Sequence, residues 1–199
     1  MKTISISGSA RTMVGKKATN ALRNAGLVPC CIYGVQKDEN GTPVTKTFSV
    51  TVEGLRKLVY TPDIHVVDLT IDGVTVKAVM KDIQFHPVKD NILHVDFYEV
   101  TETKPIVMAV PVKLEGLAEG VRAGGKLVQL QRKLTVKAVY SLIPEKLFVD
   151  VTTLGLGKSI KVGELSFENL EVVTAKESLL CSVKTTRASQ AAAAAAGKK

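Results

Sequence analysis

Alternation of apolar and polar residues, with β-branched side chains frequent, runs through most of this chain, while apolar spacing of three and four residues is confined to short stretches. The pattern predicts a mainly β protein. Strands are expected over residues 2–8, 29–34, 44–51, 64–71, 74–86 and 92–98, enough to close a small barrel, with Asn40-Gly41 and Asp72-Gly73 as tight turns between hairpin partners. Two helices interrupt them. Over 16–25, Ala18, Ala21, Leu22 and Ala25 form the apolar side, Lys16, Asn20 and Arg23 lie opposite, and Gly26 supplies a stop ahead of Pro29. Over 52–60 the apolar stripe is Leu55, Leu58 and Val59. In the fifth strand Val76, Ala78 and Met80 share one face, whereas Ile83 and Phe85 have the opposite parity. That change requires a bulge near Lys81-Asp82 and turns Gln84 and His86 outward.

A polar stretch, 99–104, ends before Pro105, after which strands are expected over 106–114, 126–139, 147–151, 159–162 and 179–184. The expected organisation is two domains: a small N-terminal β-barrel with short helices over 1–98 and a C-terminal β-rich domain over 99–187. An Ala/Lys tail, 188–199, is too short a helix former to hold by itself and is expected to be disordered. The glycines between Gly116 and Gly125 match neither GxxxxGK[ST] nor GxGxxG, so they are expected to serve turns rather than a phosphate.

Composition narrows the class. Hydrophobic residues make up 45% of the 199. With neither a membrane-length apolar run nor the apolar core of a signal peptide, a cytoplasmic protein without a membrane partner is expected. Three cysteines, Cys30, Cys31 and Cys181, are an odd number with two adjacent, which suits a reducing compartment and core thiols. The net charge is +8, and its distribution matters more than its size. Lys2, Arg11, Lys16, Lys17, Arg23 and Lys37 all precede the first acid, Asp38. Clustered cations of this kind attract a polyanion by releasing its counterions.

Strand 92–98 puts Leu93, Val95 and Phe97 on one face and His94, Asp96 and Tyr98 on the other, where Gln84 and His86 complete a polar cluster. As a metal site, two histidines and an aspartate lack a fourth ligand, so neither a metal nor a cofactor is expected. As a catalytic group, His94 and Asp96 would need Cys30 or Cys31 beside them, and the run VPCCIYG reads as a packed strand; an enzyme is not expected. The third use joins the cluster to the basic helix. Gln, His and Asp offer donors and acceptors to base edges in a shallow minor groove or an irregular RNA loop, the lysines hold phosphate, and Tyr33 is available to stack or pack.

Three segments, GKKATNALRNAGLVPCCIYG, KDIQFHPVKDNILHVDF and IPEKLFVDVTTLGLGKSIKV, with the glycine cluster between the last two, resemble the Ctc family. This is the general-stress-protein form of a bacterial ribosomal protein that binds 5S rRNA on the large subunit. The resemblance spans residues 1 to about 187. It implies a structural constituent of the large subunit, cytoplasmic and on the ribosome, whose N-terminal barrel binds 5S rRNA. It also implies a second domain extending over the subunit towards neighbouring ribosomal proteins or 23S rRNA. The RNA-facing positions implied are Arg11, Lys16, Lys17, Arg23, Tyr33, Gln84, His86, His94 and Asp96. Asn20 and Ala21 stand where family helices often carry further basic residues. The alternative reading is a stress-associated RNA-binding protein or RNA chaperone that is not a stoichiometric ribosome component.

Overall fold

Alternation becomes architecture in the first half of the chain. Strands β1 (Lys2–Ala10), β2 (Leu27–Tyr33), β3 (Lys46–Thr51), β4 (His65–Ile71), β5 (Val74–Phe85) and β6 (Ile92–Glu99) form a closed barrel in the order β1-β3-β2-β6-β5-β4. The structure is a computed structural model and describes residues 2–35, 41 and 44–187. Lys37, the first half of the expected Asn40-Gly41 turn and the tail from 188 lie outside the described residues.

The barrel is sealed by two parallel pairings, β1 with β4 and β2 with β6, the rest being antiparallel. Its interior holds Ile6, Val28, Cys30, Ile32, Phe48, Val50, Val67, Leu69, Val95 and Phe97, with Phe48 and Phe97 tilted against each other at 5.8 Å between ring centroids. Gly8 stands next to Ser9, where β1 pairs with β3. A Cβ there would come within 2.9 Å of Phe48 Cδ2 and of the Ser49 carbonyl, so only glycine permits the approach. The β4–β5 hairpin turns at Asp72-Gly73 with both residues at positive φ, 47° and 87°, as such a two-residue turn requires.

The expected bulge is present: the β5–β6 register slips between Met80 and Asp82. A second slip, between Gln84 and Phe85, places Phe85 against Ile92 and leaves Leu93 out of the ladder. Val95 and Phe97 therefore face the core as expected, whereas the inward position before them belongs to Ile92, and Leu93 is only half-buried.

Helix α1 (Lys16–Asn24) lies against β2, and α2 (Val52–Val59) buries Leu55 and Leu58 in the barrel core. Thr51 caps α2 by accepting from the Gly54 N–H at 3.3 Å. None of the α1 residues is fully buried. Ala18, Thr19, Leu22 and Arg23 are half-buried, while Ala21 and Ala25 are exposed beside Lys16, Lys17 and Asn20. The packing side of α1 is thus narrower than the alanine spacing suggests, and Arg23 lies on it.

By contact the chain forms two units, one running to Ile106 and including Val139–Glu145, the other comprising Val107–Ala138 and the described residues from Lys146 on. In the second, β7 (Ile106–Glu115) leads through a single-turn helix, α3 (Glu119–Arg122), to β8 (Lys126–Gln129), β9 (Lys133–Ala138), β10 (Leu147–Asp150), β11 (Ser159–Lys161), β12 (Glu171–Val172) and β13 (Leu179–Lys184). They make two sheets, ordered β10-β7-β9-β12 and β11-β13-β8. The single strand expected over 126–139 is broken at 130–132 because its two halves belong to different sheets. Gly116, at φ +85°, turns the chain after β7, and the glycine cluster serves close backbone packing: a Cβ on Gly120 would lie 2.7 Å from Gly155 and Leu156 backbone atoms.

Candidate RNA-binding face of the barrel

The residues that β2, β5 and β6 turn outward form one polar strip. In β2, Cys30 and Ile32 face the core, so Cys31 and Tyr33 face out; the parallel ladder sets Cys31 beside Asp96 and Tyr33 beside Tyr98. Antiparallel pairing on the other side sets Gln84 opposite His94 and Asp82 opposite Asp96. Asp96 Oδ1 is the hub: it accepts from His94 Nδ1 at 2.8 Å and from the Cys31 thiol at 3.2 Å. Tyr33 and Tyr98 meet edge to face, with centroids 5.9 Å apart.

His86 is engaged differently. Its Nδ1 accepts the backbone N–H groups of Val88 and Lys89 at 3.2 and 3.1 Å, organising the turn between β5 and β6, so Nε2 is the ring nitrogen that this turn leaves unused.

The cations fall into three groups. Lys16 and Lys17 are exposed in the first turn of α1, which contains no acid, so the positive end of the helix dipole adds to their charge. Arg23 donates through Nε and Nη2 to the Leu93 carbonyl at 3.2 and 2.9 Å. The second bulge frees that carbonyl, and Arg23 thereby ties α1 to the residue preceding His94. Arg11 follows β1, where its backbone N–H donates to the Thr47 carbonyl and its own carbonyl accepts from the Thr47 hydroxyl, both at 3.1 Å. Its Nε and Nη1 are buried without a hydrogen-bond partner among the described residues, and its charge acts on Cys30 and Cys31. Lys2 pairs with Glu145 at 3.5 Å.

Cys31 is a half-exposed thiol, not the core residue its segment suggested; Cys30 and Cys181 are buried. Cys31, His94 and Asp96 do come together, a juxtaposition not expected from the sequence, yet they do not make a nucleophilic triad. A thiolate nucleophile needs a cationic or basic neighbour to lower its pKa. Here the thiol donates a hydrogen bond to a carboxylate, and burial, that hydrogen bond and the Asp96 charge push it up to about 12. Burial first, then the Cys31 charge, pushes Cys30 up to about 12 as well. Tyr33 is raised by burial and by the charges of Asp96, Cys31 and Asp82.

The signal that would have turned Cys31 outward is parity, since Val28, Cys30 and Ile32 are the inward set. Its neighbours on β6 could not be read, since a parallel pairing across a crossover leaves no local signal. The place of Asp82 opposite Asp96 and the freed Leu93 carbonyl depend instead on the register shifts of the antiparallel β5–β6 pair.

Comparison with known proteins decides the family. Residues 6–97 match the Ribosomal L25p family, and residues 105–187 match the C-terminal domain of ribosomal protein TL5. The large ribosomal subunit protein bL25 of Phocaeicola vulgatus is 68% identical over 198 residues, covering all of both chains. The chain belongs to the bL25 family. The bL25 proteins of Bacteroides thetaiotaomicron and Porphyromonas gingivalis are 60% and 50% identical, covering 100% and 97% of this chain. It has the two-domain, Ctc-type form of the family, which consists of structural ribosomal proteins and not enzymes. Among the described residues, no helix is long and apolar enough to cross a membrane.

Proposed function

We propose that this bL25-family chain is a structural constituent of the cytoplasmic large ribosomal subunit and that its barrel binds 5S rRNA. The observation that carries the reading is the tie between Arg23 and the Leu93 carbonyl, which joins the basic helix to the polar strip as one surface. Lys16 and Lys17 hold phosphate. Arg11, with two unpartnered nitrogens, has donors to give to an RNA oxygen once its side chain turns outward.

Phosphate contacts fix register, and base-edge contacts give preference. The Asp96 carboxylate, the Nε2 atoms of His94 and His86 and the Gln84 amide supply donors and acceptors suited to a shallow groove or an internal loop. Tyr33, half-buried against Tyr98, offers a ring edge more than an open stacking face. The second domain extends the chain over the subunit.

Titrating the full chain against 5S rRNA and against other structured RNAs of similar length tests the reading. A clear preference for 5S rRNA is expected, together with co-sedimentation at one copy per large subunit. Equal affinity for all RNAs would remove the 5S assignment, and sub-stoichiometric sedimentation would favour a free RNA chaperone.

A further inference from the structure

The outer strip contains an arrangement that RNA phosphate does not explain. Asp82 and Asp96 stand directly opposite each other across the β5–β6 ladder, where like charges are destabilising, on a face with no reason to gather acids for a polyanion. Asp96 also carries a thiol and an imidazole on a single oxygen.

We propose that Cys31, His94 and Asp96 form a three-donor site for a thiophilic divalent cation, Zn2+, on the outer wall of the barrel. Their ligand atoms all lie within 4.8 Å of one another. In a tetrahedral site with Zn–N and Zn–O near 2.0 Å and Zn–S near 2.3 Å, neighbouring donors are about 3.3–3.5 Å apart. The observed contacts from Asp96 Oδ1, 2.8 Å to His94 and 3.2 Å to Cys31, need to open by only about half an ångström to reach that spacing. The donors are held by the frame: Cys31 and Asp96 are ladder partners, and His94 lies two residues along the same strand. All three are half-buried, so an ion can enter and a fourth position remains for water or another ligand.

Sulfur and nitrogen donors select zinc over the magnesium that accompanies RNA. On binding, the Cys31 thiol releases its proton to solvent and sulfur donates the freed pair to the metal; the His94 proton moves to Nε2 as Nδ1 coordinates. One proton leaves and nothing is oxidised. Thiolate and Asp96 carboxylate together neutralise the dication, and Asp82 then faces a neutral centre. The opposing charge is Arg11, whose side chain acts on Cys31 from the other side.

The test uses the full chain, reduced and freed of metal by chelator, titrated with Co2+ and then with Zn2+. One Co2+ per chain is expected, with a tetrahedral visible spectrum and a thiolate-to-cobalt charge-transfer band that one equivalent of Zn2+ abolishes. Cys31→Ser removes the band and weakens binding about 100-fold, as loss of a direct ligand must at least match loss of an outer-shell partner. His94→Ala weakens it similarly, while Cys181→Ala, at a buried site in the second unit, leaves it unchanged. A pale octahedral spectrum, a band that survives Cys31→Ser, or binding indifferent to His94→Ala with circular dichroism unchanged overturns the proposal. The Lys16→Ala/Lys17→Ala chain retains the metal site whatever becomes of its RNA binding, so the two readings fail separately.

Discussion

Arg23 separates two accounts of the basic helix. If it grips phosphate, Arg23→Ala should act like removal of any other cation; if it clamps α1 to the β6 bulge, the effect should appear in the free protein. The structure sets the magnitude. Nε and Nη2 donate to a single carbonyl at 3.2 and 2.9 Å from a half-buried guanidinium, so one charge-assisted bond at the low end of its range, about 1.5 kcal/mol, is at stake. Because no α1 residue is fully buried, the loss localises in that helix. Native-state hydrogen exchange should show α1 amides opening roughly tenfold more readily, with core β6 amides little changed. Affinity for 5S rRNA should fall up to about tenfold with the same salt slope, since re-docking the helix costs energy but no phosphate contact is lost. Arg23→Lys, which keeps the charge without the two-pronged contact, should resemble Arg23→Ala. A salt slope shallower by about 0.7–0.9, with α1 exchange unchanged, would refute the clamp and restore a direct phosphate contact.

Four further outcomes follow from the same geometry. With Lys2 paired and Arg23 tied down, Arg11, Lys16 and Lys17 remain, so the log–log salt slope of RNA binding should be about −2 to −3; Lys16→Ala/Lys17→Ala should flatten it by about 1.4–1.8 without affecting folding. Cys31 should be alkylated in the native protein at pH 8 roughly a thousandfold more slowly than in urea, because the fold pushes the thiol from 9.0 to about 12; native labelling as fast as in urea would refute the shift. The raised Cys30 and Cys31 values also make thermal stability full below about pH 9 and declining as pH rises towards 12, a decline that Cys31→Ser should lessen. Phe97→Ala, which empties the barrel centre beside Phe48, should cost about 3–5 kcal/mol by urea denaturation, and a loss below about 1 kcal/mol would contradict its place in the core.

Much of the barrel was legible because alternation reports which face of a strand is buried. The opposite parities of Met80 and Ile83 revealed the first bulge, and Asp72-Gly73 revealed its hairpin. The Leu93 bulge was hidden, since Ile92 and Leu93 are both apolar and either could have faced the core. Alternation is equally silent on which strands become neighbours. The β2–β6 pairing, and with it the meeting of Cys31 and Asp96, arises from the barrel's closure and not from any local motif. The break at 130–132 was unreadable for the same reason, because it marks a change of sheet within a continuous β-like stretch. His86 and Arg23 were found as polar residues in the right region, but their bonds to the 86–90 turn and to Leu93 depend on backbone positions that residue types do not encode.

The most direct test of base-edge recognition is Asp96→Ala, titrated without added zinc against 5S rRNA and against a generic duplex. A carboxylate repels phosphate and on this strip also faces Asp82, so pure electrostatics predicts tighter binding to both RNAs when it is removed. Base-edge recognition predicts the opposite sign: affinity for 5S rRNA falls by roughly 1–3 kcal/mol more than affinity for the duplex, with circular dichroism unchanged. Equal or tighter binding to 5S rRNA would contradict it and reduce the surface to a basic patch.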